Sequence, residues 1–400
     1  MRYLFSILVF SSLVFSAFGQ QLISLSTLKG ENTPYNLENT EACSIYVSAA
    51  FDDEGVLANV ILVSGKNKTS LLELKNRRYP QDTGHLLPYP IQPNSYIVST
   101  LSTIQLANLK GVLYYNTAKQ SQNPYFYVID VLGYQNIDFK GLGTVDMTVV
   151  FLNTYNNMMP NWSSKISNWN QDSDATVAIY KGIPQDGIGP RNTQIFSNPV
   201  NNKYFSNVET FSLSAVAFHM KTFKGCTFTI EPARAILAGT TTTAYTTTGF
   251  YMKQQEENGA ATQINMMKRI GYLGSTGANI IGHIPDGTSV SFDVYDGSNH
   301  WGKSLVPNDF ITSWSTPNVG KNLIISSTTA KDGVYYVQYY VNQDDVPTNG
   351  TVAPPTVPGK VETTTNPAKP TVPGHVETTT KSSEAMFTLL SIFIVLMKLL

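Results

Sequence analysis

Cysteine is nearly missing: the 400 residues contain two, Cys43 and Cys226. A pair permits one disulfide, so the chain is no cysteine-stapled scaffold and must rest on buried apolar cores. The two can bond to each other, closing a loop worth about 4 to 5 kcal/mol on a chain-entropy account, or stay as buried thiols. Both readings remain open. Charge is also scarce, at 14% of residues with a net value of -1. No basic field exists to hold phosphates, which excludes nucleic acid as the main partner. A chain that is 42% hydrophobic is globular rather than disordered and can bury one to three cores. Helical periodicity is rare; residues 260–270 are the best candidate, and they read equally well as strand and loop.

Catalytic patterns are missing too. Of five histidines, His375 lies in a Thr/Pro-rich segment, and His85, His219, His283 and His300 have no partner at metal-ligand spacing. No His-Glu-x-x-His and no Gly-x-Ser-x-Gly occurs. Neither cysteine has a catalytic signature. Asp52-Asp-Glu54 reads as a solvated turn, and 182–189 as a loop without phosphate-cradling order. No catalytic residue, metal ligand or cofactor is therefore assigned, although two carboxylates brought together by folding could still make a glycosidase.

What the chain does have is β-forming residues: 22 Tyr and 19 Phe with abundant Thr, Val and Ser. Strand-like runs fall at 43–49, 56–63, 96–101, 112–115, 125–131, 145–152, 175–180 and 211–220. Gly, Pro and Asn punctuate them, as in an antiparallel sandwich or barrel. The densest signal spans 290–340. Val290-Ser-Phe-Asp-Val-Tyr-Asp-Gly297 alternates with period two into an Asp-Gly turn. Asn322-Leu-Ile-Ile-Ser-Ser and Val334-Tyr-Tyr-Val-Gln-Tyr-Tyr340 flank a second Asp-Gly at Asp332-Gly333, a hairpin signal because Gly accepts positive φ.

The order "VYDG", polar loop, Leu-Ile-Ile-Ser-Ser, turn, Gly-x-Tyr-Tyr-x-x-Tyr resembles the second half of a CUB domain, and Gly225-Cys-Thr-Phe-Thr-Ile-Glu-Pro232 resembles its first strand. With so few cysteines, the chain is most similar to nematode CUB-like secreted proteins. The resemblance implies an all-β fold of two or more CUB-like sandwich (jelly-roll) units in tandem. The expected division is a unit at 20–135, a middle β region at 136–224, which can also belong to the first unit, and a second unit at 225–343. It also implies a secreted or intestinal-surface product of pathogen defence, without catalysis. The sequence departs from the family at the cysteines and at Val290, where calcium-binding members carry an acid; Asp293, Asp296 and Asp332 are a poor substitute. The ligand site expected is the loop after "VYDG", with Asn299, His300 and Trp301, joined by Trp314. Rings beside amides can stack on a sugar, although both tryptophans also suit packing over the sandwich end.

The termini read as export and attachment. Residues 1–19 have the charge, apolar run and small-x-small site of a signal peptide. Residues 385–400 are almost wholly apolar, as in a GPI-attachment signal or a short membrane anchor. Between them and the globular part, 346–383 form a Thr/Pro-rich stalk in which Pro355-Thr-Val-Pro-Gly recurs as Pro370-Thr-Val-Pro-Gly, consistent with O-glycosylation. Sequons at Asn67, Asn161 and Asn349 fit an extracellular route. The expectation is a non-enzymatic protein held at the cell surface by its C-terminus, binding an extracellular glycan or protein in innate defence. A mucin-like coat component and an extracellular glycosidase are the alternatives.

Overall fold

The computed structural model describes residues 19–79, 84–158, 162–185, 194–234, 240–253, 261–284, 289–305, 310–327 and 334–347. The expected all-β architecture holds, with strands that fall into three pairs of sheets along the chain.

The first pair uses β1 (Gln21–Ser24), β2 (Tyr35–Asn36), β3 (Cys43–Ala49), β4 (Val60–Ser64), β5 (Asn67–Ser70), β6 (Tyr89–Ile91), β7 (Tyr96–Ser99) and β8 (Gly111–Tyr115). They pair in the orders β1-β8-β3-β6 and β2-β7-β4-β5. Ile45 and Val47 of β3 meet Val60 and Leu62 of β4 between the sheets. Short helices fill the connections because the sequence caps them: Ser70 with Glu73, Ser102 with Gln105 and Thr117 with Gln120 are all capping boxes.

The second pair uses β9 (Phe126–Asp130), β10 (Gln135–Asp138), β11 (Asp146–Leu152), β12 (Trp162–Asn170), β13 (Thr176–Lys181), β14 (Gln194–Asn198), β15 (Phe211–Leu213), β16 (Ala217–Phe223) and β17 (Thr227–Arg234). The orders are β14-β13-β16-β11-β9 and β10-β17-β12-β15, with β9 and β11 parallel. Sheet membership moves the boundary that the sequence suggests at residue 225. The Cys226 strand, expected to open the last unit, pairs with β10 and β12 in the middle one. Phe228 and Ile230 join Phe151 and Phe218 in that core. The turn into it is tight: Lys224 and Gly225 both take positive φ, and a Cβ on Gly225 would lie 2.3 Å from the Phe139 carbonyl. Likewise β9, placed at 20–135 by sequence, belongs to the middle sheets.

The third pair uses β18 (Thr240–Thr242), β19 (Thr247–Lys253), β20 (Thr262–Asn265), β21 (Tyr272–His283), β22 (Val290–Asp296), β23 (Asn299–Leu305), β24 (Phe310–Thr316), β25 (Asn322–Ser327) and β26 (Val334–Pro347). Their orders are β18-β20-β25-β22-β23 and β19-β26-β21-β24. One open reading is decided here and one expectation changes. Of residues 260–270, the described ones, 261–270, form β20 and a loop, the second of the two readings the sequence offered. β25 and β26 do not make a hairpin across Asp332-Gly333, which lies outside the described residues. They belong to opposite sheets, and each lays its buried residues, Leu323 and Ile325 or Tyr335 and Val337, into the core between them.

The sandwiches are fused by apolar contact. Tyr46, Val112 and Tyr114, on the outer face of the first sheet, pack on Val128, Val150 and Leu152 of the middle one. β3 and β8 are thus buried on both faces, which accounts for their nearly unbroken apolar runs. At the other side, Phe250 of β19 and Tyr336 of β26 close the middle core against Phe196 and Phe211. Gln338 of β26 fastens this joint. Its amide accepts from Ser197 N at 2.9 Å and donates to Ser197 O at 2.6 Å, copying the bonds of a neighbouring strand. Gln338→Leu leaves both Ser197 groups unpaired and should cost about 2 kcal/mol in urea-unfolding free energy; a cost under about 0.5 would show that water replaces the clamp.

Candidate functional site

Burial along β22 alternates: Val290, Phe292 and Val294 point inward, while Ser291, Asp293 and Tyr295 are partly exposed. The register carries this outer face across the sheet. Asp293 sits opposite Gly302 of β23 and Ile324 of β25, and Tyr295 opposite His300 and Asn322. Beyond them, Gln263 and Asn265 of β20 are bonded to each other at 2.7 Å. The face is therefore a shelf of amides, hydroxyls and one carboxylate around a ring pair. His300 stacks on Tyr295 at 4.6 Å between centroids, and its Nε2 meets Asp293 Oδ1 at 2.7 Å. Gly302 leaves the room for that contact: a Cβ there would lie 2.5 Å from Asp293 Oδ1 and 3.1 Å from His300 Nε2.

The expected ligand site is only partly assembled. Residues 298–302 are not a loop: Gly297 and Ser298 make a two-residue turn, with Gly297 at positive φ, and Asn299 already pairs with Asp296. The strand then separates the four candidates. Asn299 is exposed at the hairpin end and His300 faces outward. Trp301, opposite Val294, and Trp314, opposite Ala278 in the other sheet, both pack on the interior of the sandwich. The tryptophans thus serve packing, and Tyr295, Asp293 and Gly302 replace them beside His300. The Asp-Gly turn signal at 296–297 could have shown this, because it makes the next residues a returning strand.

The remaining candidates are also placed. Cys43 and Cys226 are free, buried thiols in two different cores, so no disulfide links them. Each already has apolar neighbours, and burial pushes the Cys43 thiol up to about 11 and Cys226 further, so neither is a ready nucleophile. Asn67 is exposed at the start of β5. Asn161 and Asn349 lie outside the described residues, as do Asp332, His375, 1–18 and 348–400. Among the described residues, no three His, Cys, Asp or Glu side chains cluster to hold a metal ion. Asp52 and Glu54 bind Lys110 and Lys75, as a charged turn should.

One polar cluster escaped the sequence entirely. Asp130, fully buried at the end of β9, accepts from Ser48 Oγ at 2.6 Å and from Arg78 Nη2 at 2.6 Å. Thr154 in turn bonds Ser48 at 2.5 Å. Burial raises the Asp130 carboxyl, while the Arg78 charge, the Ser48 and Arg78 bonds and Lys75 oppose that rise. This is a joint between the first two sandwiches, holding side chains from β3, the segment after Lys75, β9 and the helix Thr154–Met158.

A family profile described as "Transmembrane glycoprotein" matches residues 40–397, so it crosses all three sandwiches. The chain belongs to this family. Its kind is that of surface or extracellular glycoproteins, which agrees with the β-rich architecture. Among the described residues, no helix is long and apolar enough to cross a membrane. No curated protein matches the chain. Among solved structures, the CUB1-EGF-CUB2 domain of human MASP-1/3 is similar over 52% of this chain and 99% of its own, at 11% identity and a TM-score of 0.18. The insecticidal delta-endotoxin Cry8Ea1 of Bacillus thuringiensis is similar over 84% of this chain and 55% of its own, at 9% identity and a TM-score of 0.18. Neither likeness is close enough to transfer a ligand or a partner.

Proposed function

We propose that this glycoprotein is a non-enzymatic recognition protein, attached to the cell surface through residues 385–400, that binds an extracellular glycan in defence against pathogens. The observation that carries the reading is the outer face of β20, β25, β22 and β23. There an exposed His300–Tyr295 stack, held by Asp293 over Gly302, stands beside the amides of Gln263, Asn265 and Asn322. Sugars are bound in this way, with a ring under the C–H face and fixed amides and carboxylates on the hydroxyls. Asn67 supports the extracellular route, since an exposed sequon is open to glycosylation. The family kind supports a non-catalytic role. So does Asp130, a carboxylate buried against Arg78 and Ser48 rather than standing in an open cleft.

The full-length protein in detergent, screened on arrays of bacterial and host glycans, should bind a narrow set of sugars. His300→Ala and Asp293→Ala should each weaken that binding by about tenfold, a loss of about 1.4 kcal/mol, with unfolding midpoints unchanged. Gly302→Ala should do the same by pushing Asp293 aside. An array without hits, or variants that bind as the wild type does, would refute this assignment of the face.

A further inference from the structure

The loop that joins β20 to β21, with the start of β21, exposes three apolar side chains spaced three residues apart: Met267 at 39%, Ile270 at 86% and Leu273 at 57%. A floppy loop would show the same exposure without meaning, but this one is held. Buried Gln343 of β26 accepts from Arg269 N at 2.7 Å and donates to the carbonyls of Met267 at 2.7 Å and Tyr245 at 2.6 Å. The Arg269 guanidinium lies over the rings of Tyr245 at 4.6 Å and Tyr272 at 5.4 Å. Leu273 falls where the register between β21 and β26 slips, which leaves it outside the ladder. A rigid turn that holds aliphatic side chains toward water, with tyrosine and arginine behind them, has the composition of a membrane-interface anchor.

The place of the loop relative to the chain's exit points to the occupant. β26 ends at Pro347, whose register partner is Tyr272, so the described chain ends beside this loop, and the stalk and the apolar residues 385–400 follow in sequence. We propose that Met267, Ile270 and Leu273 enter the headgroup region of the bilayer to which the protein is attached. The inference rests on the membrane attachment proposed above. Lys268 is paired with Asp296 at 2.5 Å and the exposed Asp344 follows Gln343 in β26, so the apolar side chains supply most of the affinity. The same Lys268–Asp296 pair ties the loop to the hairpin that carries His300, so contact with the bilayer would orient the recognition face.

The test uses the full chain in phosphatidylcholine vesicles with an environment-sensitive dye on Ile270→Cys. Cys43 and Cys226 are buried and stay unlabelled. A dye on exposed Lys119→Cys, in the first sandwich, is the control. Nitroxide lipids should quench the dye at 270 at least fivefold more than the dye at 119. Met267→Asp with Leu273→Asp should bring quenching at 270 down to the control level without changing flotation with the vesicles. Equal quenching at both sites in floating protein, or quenching that survives the double substitution, would overturn the proposal. Failure to float at all would refute the attachment itself, a result that flotation shows separately.

Discussion

Asp130→Ala is expected to lower the unfolding free energy by about 3–5 kcal/mol, read from urea denaturation, because it leaves a buried cation facing no anion. Arg78 is only 18% exposed at its side chain and donates to Asp130 at 2.6 Å. Ser48 loses the acceptor of its hydroxyl, with only Thr154 remaining as a bonded neighbour. The backbone around Asp130 is otherwise satisfied: its N–H reaches the Gly84 carbonyl and its carbonyl accepts from Gln135. The loss therefore belongs to the carboxylate. Asp130→Asn should cost nearly as much, since an amide turned toward Arg78 still provides no charge. Arg78→Ala combined with Asp130→Ala should be less damaging than the sum of the two, with a coupling of about 2 kcal/mol. Additive losses would mean that water already screens the pair.

The position of this cluster explains why the sequence does not show it. Arg78 and Asp130 are 52 residues apart, and Gln338 is 141 residues from Ser197. Neither member carries a pattern that names the other, and both joints exist only once separate sandwiches meet. Strands with strong local character were legible: 43–49 coincides with β3, and the "VYDG" run with β22. The run 211–220, in contrast, reads as one strand and folds as two, with β15 in one sheet and β16 in the other. A linear alternation says which face a residue takes, not which sheet the strand joins. The short helices were legible in principle through Ser70-x-x-Glu73 and its two counterparts. At four or five residues, however, they fall below the window in which helical periodicity can be detected. At the site, His300 stood out as a polar aromatic after a turn. Its real partners, Asp293 and Gly302, emerged only from the register that sets them opposite each other.

Acid should weaken the fold through His219. The ring lies in β16 with 4% exposure, stacked on Tyr180 at 4.9 Å, and its Nδ1 is 2.8 Å from the Gly182 carbonyl, which selects the neutral tautomer with that nitrogen donating. Burial brings its pKa down from 6.5 to about 4, helped by nearby Lys221 and opposed by the Gly182 bond. The unfolded chain therefore takes up the proton first as pH falls. The stability tied to the neutral ring is complete above about pH 6.5 and is lost progressively between there and about pH 4. From pH 7 to pH 4.5 the loss should be about 2–3 kcal/mol for this one group. His219→Phe keeps a ring against Tyr180 but cannot titrate. It should start about 1 kcal/mol lower at pH 7, for the missing bond to Gly182, and then lose much less than the wild type on acidification, so the two curves should cross near pH 5.5. His85, also lowered by burial between Tyr79 and Tyr127, pushes in the same direction and leaves some slope in the variant. Parallel curves for wild type and His219→Phe would show that His219 titrates alike in both states, and that its burial is relieved before the fold gives way.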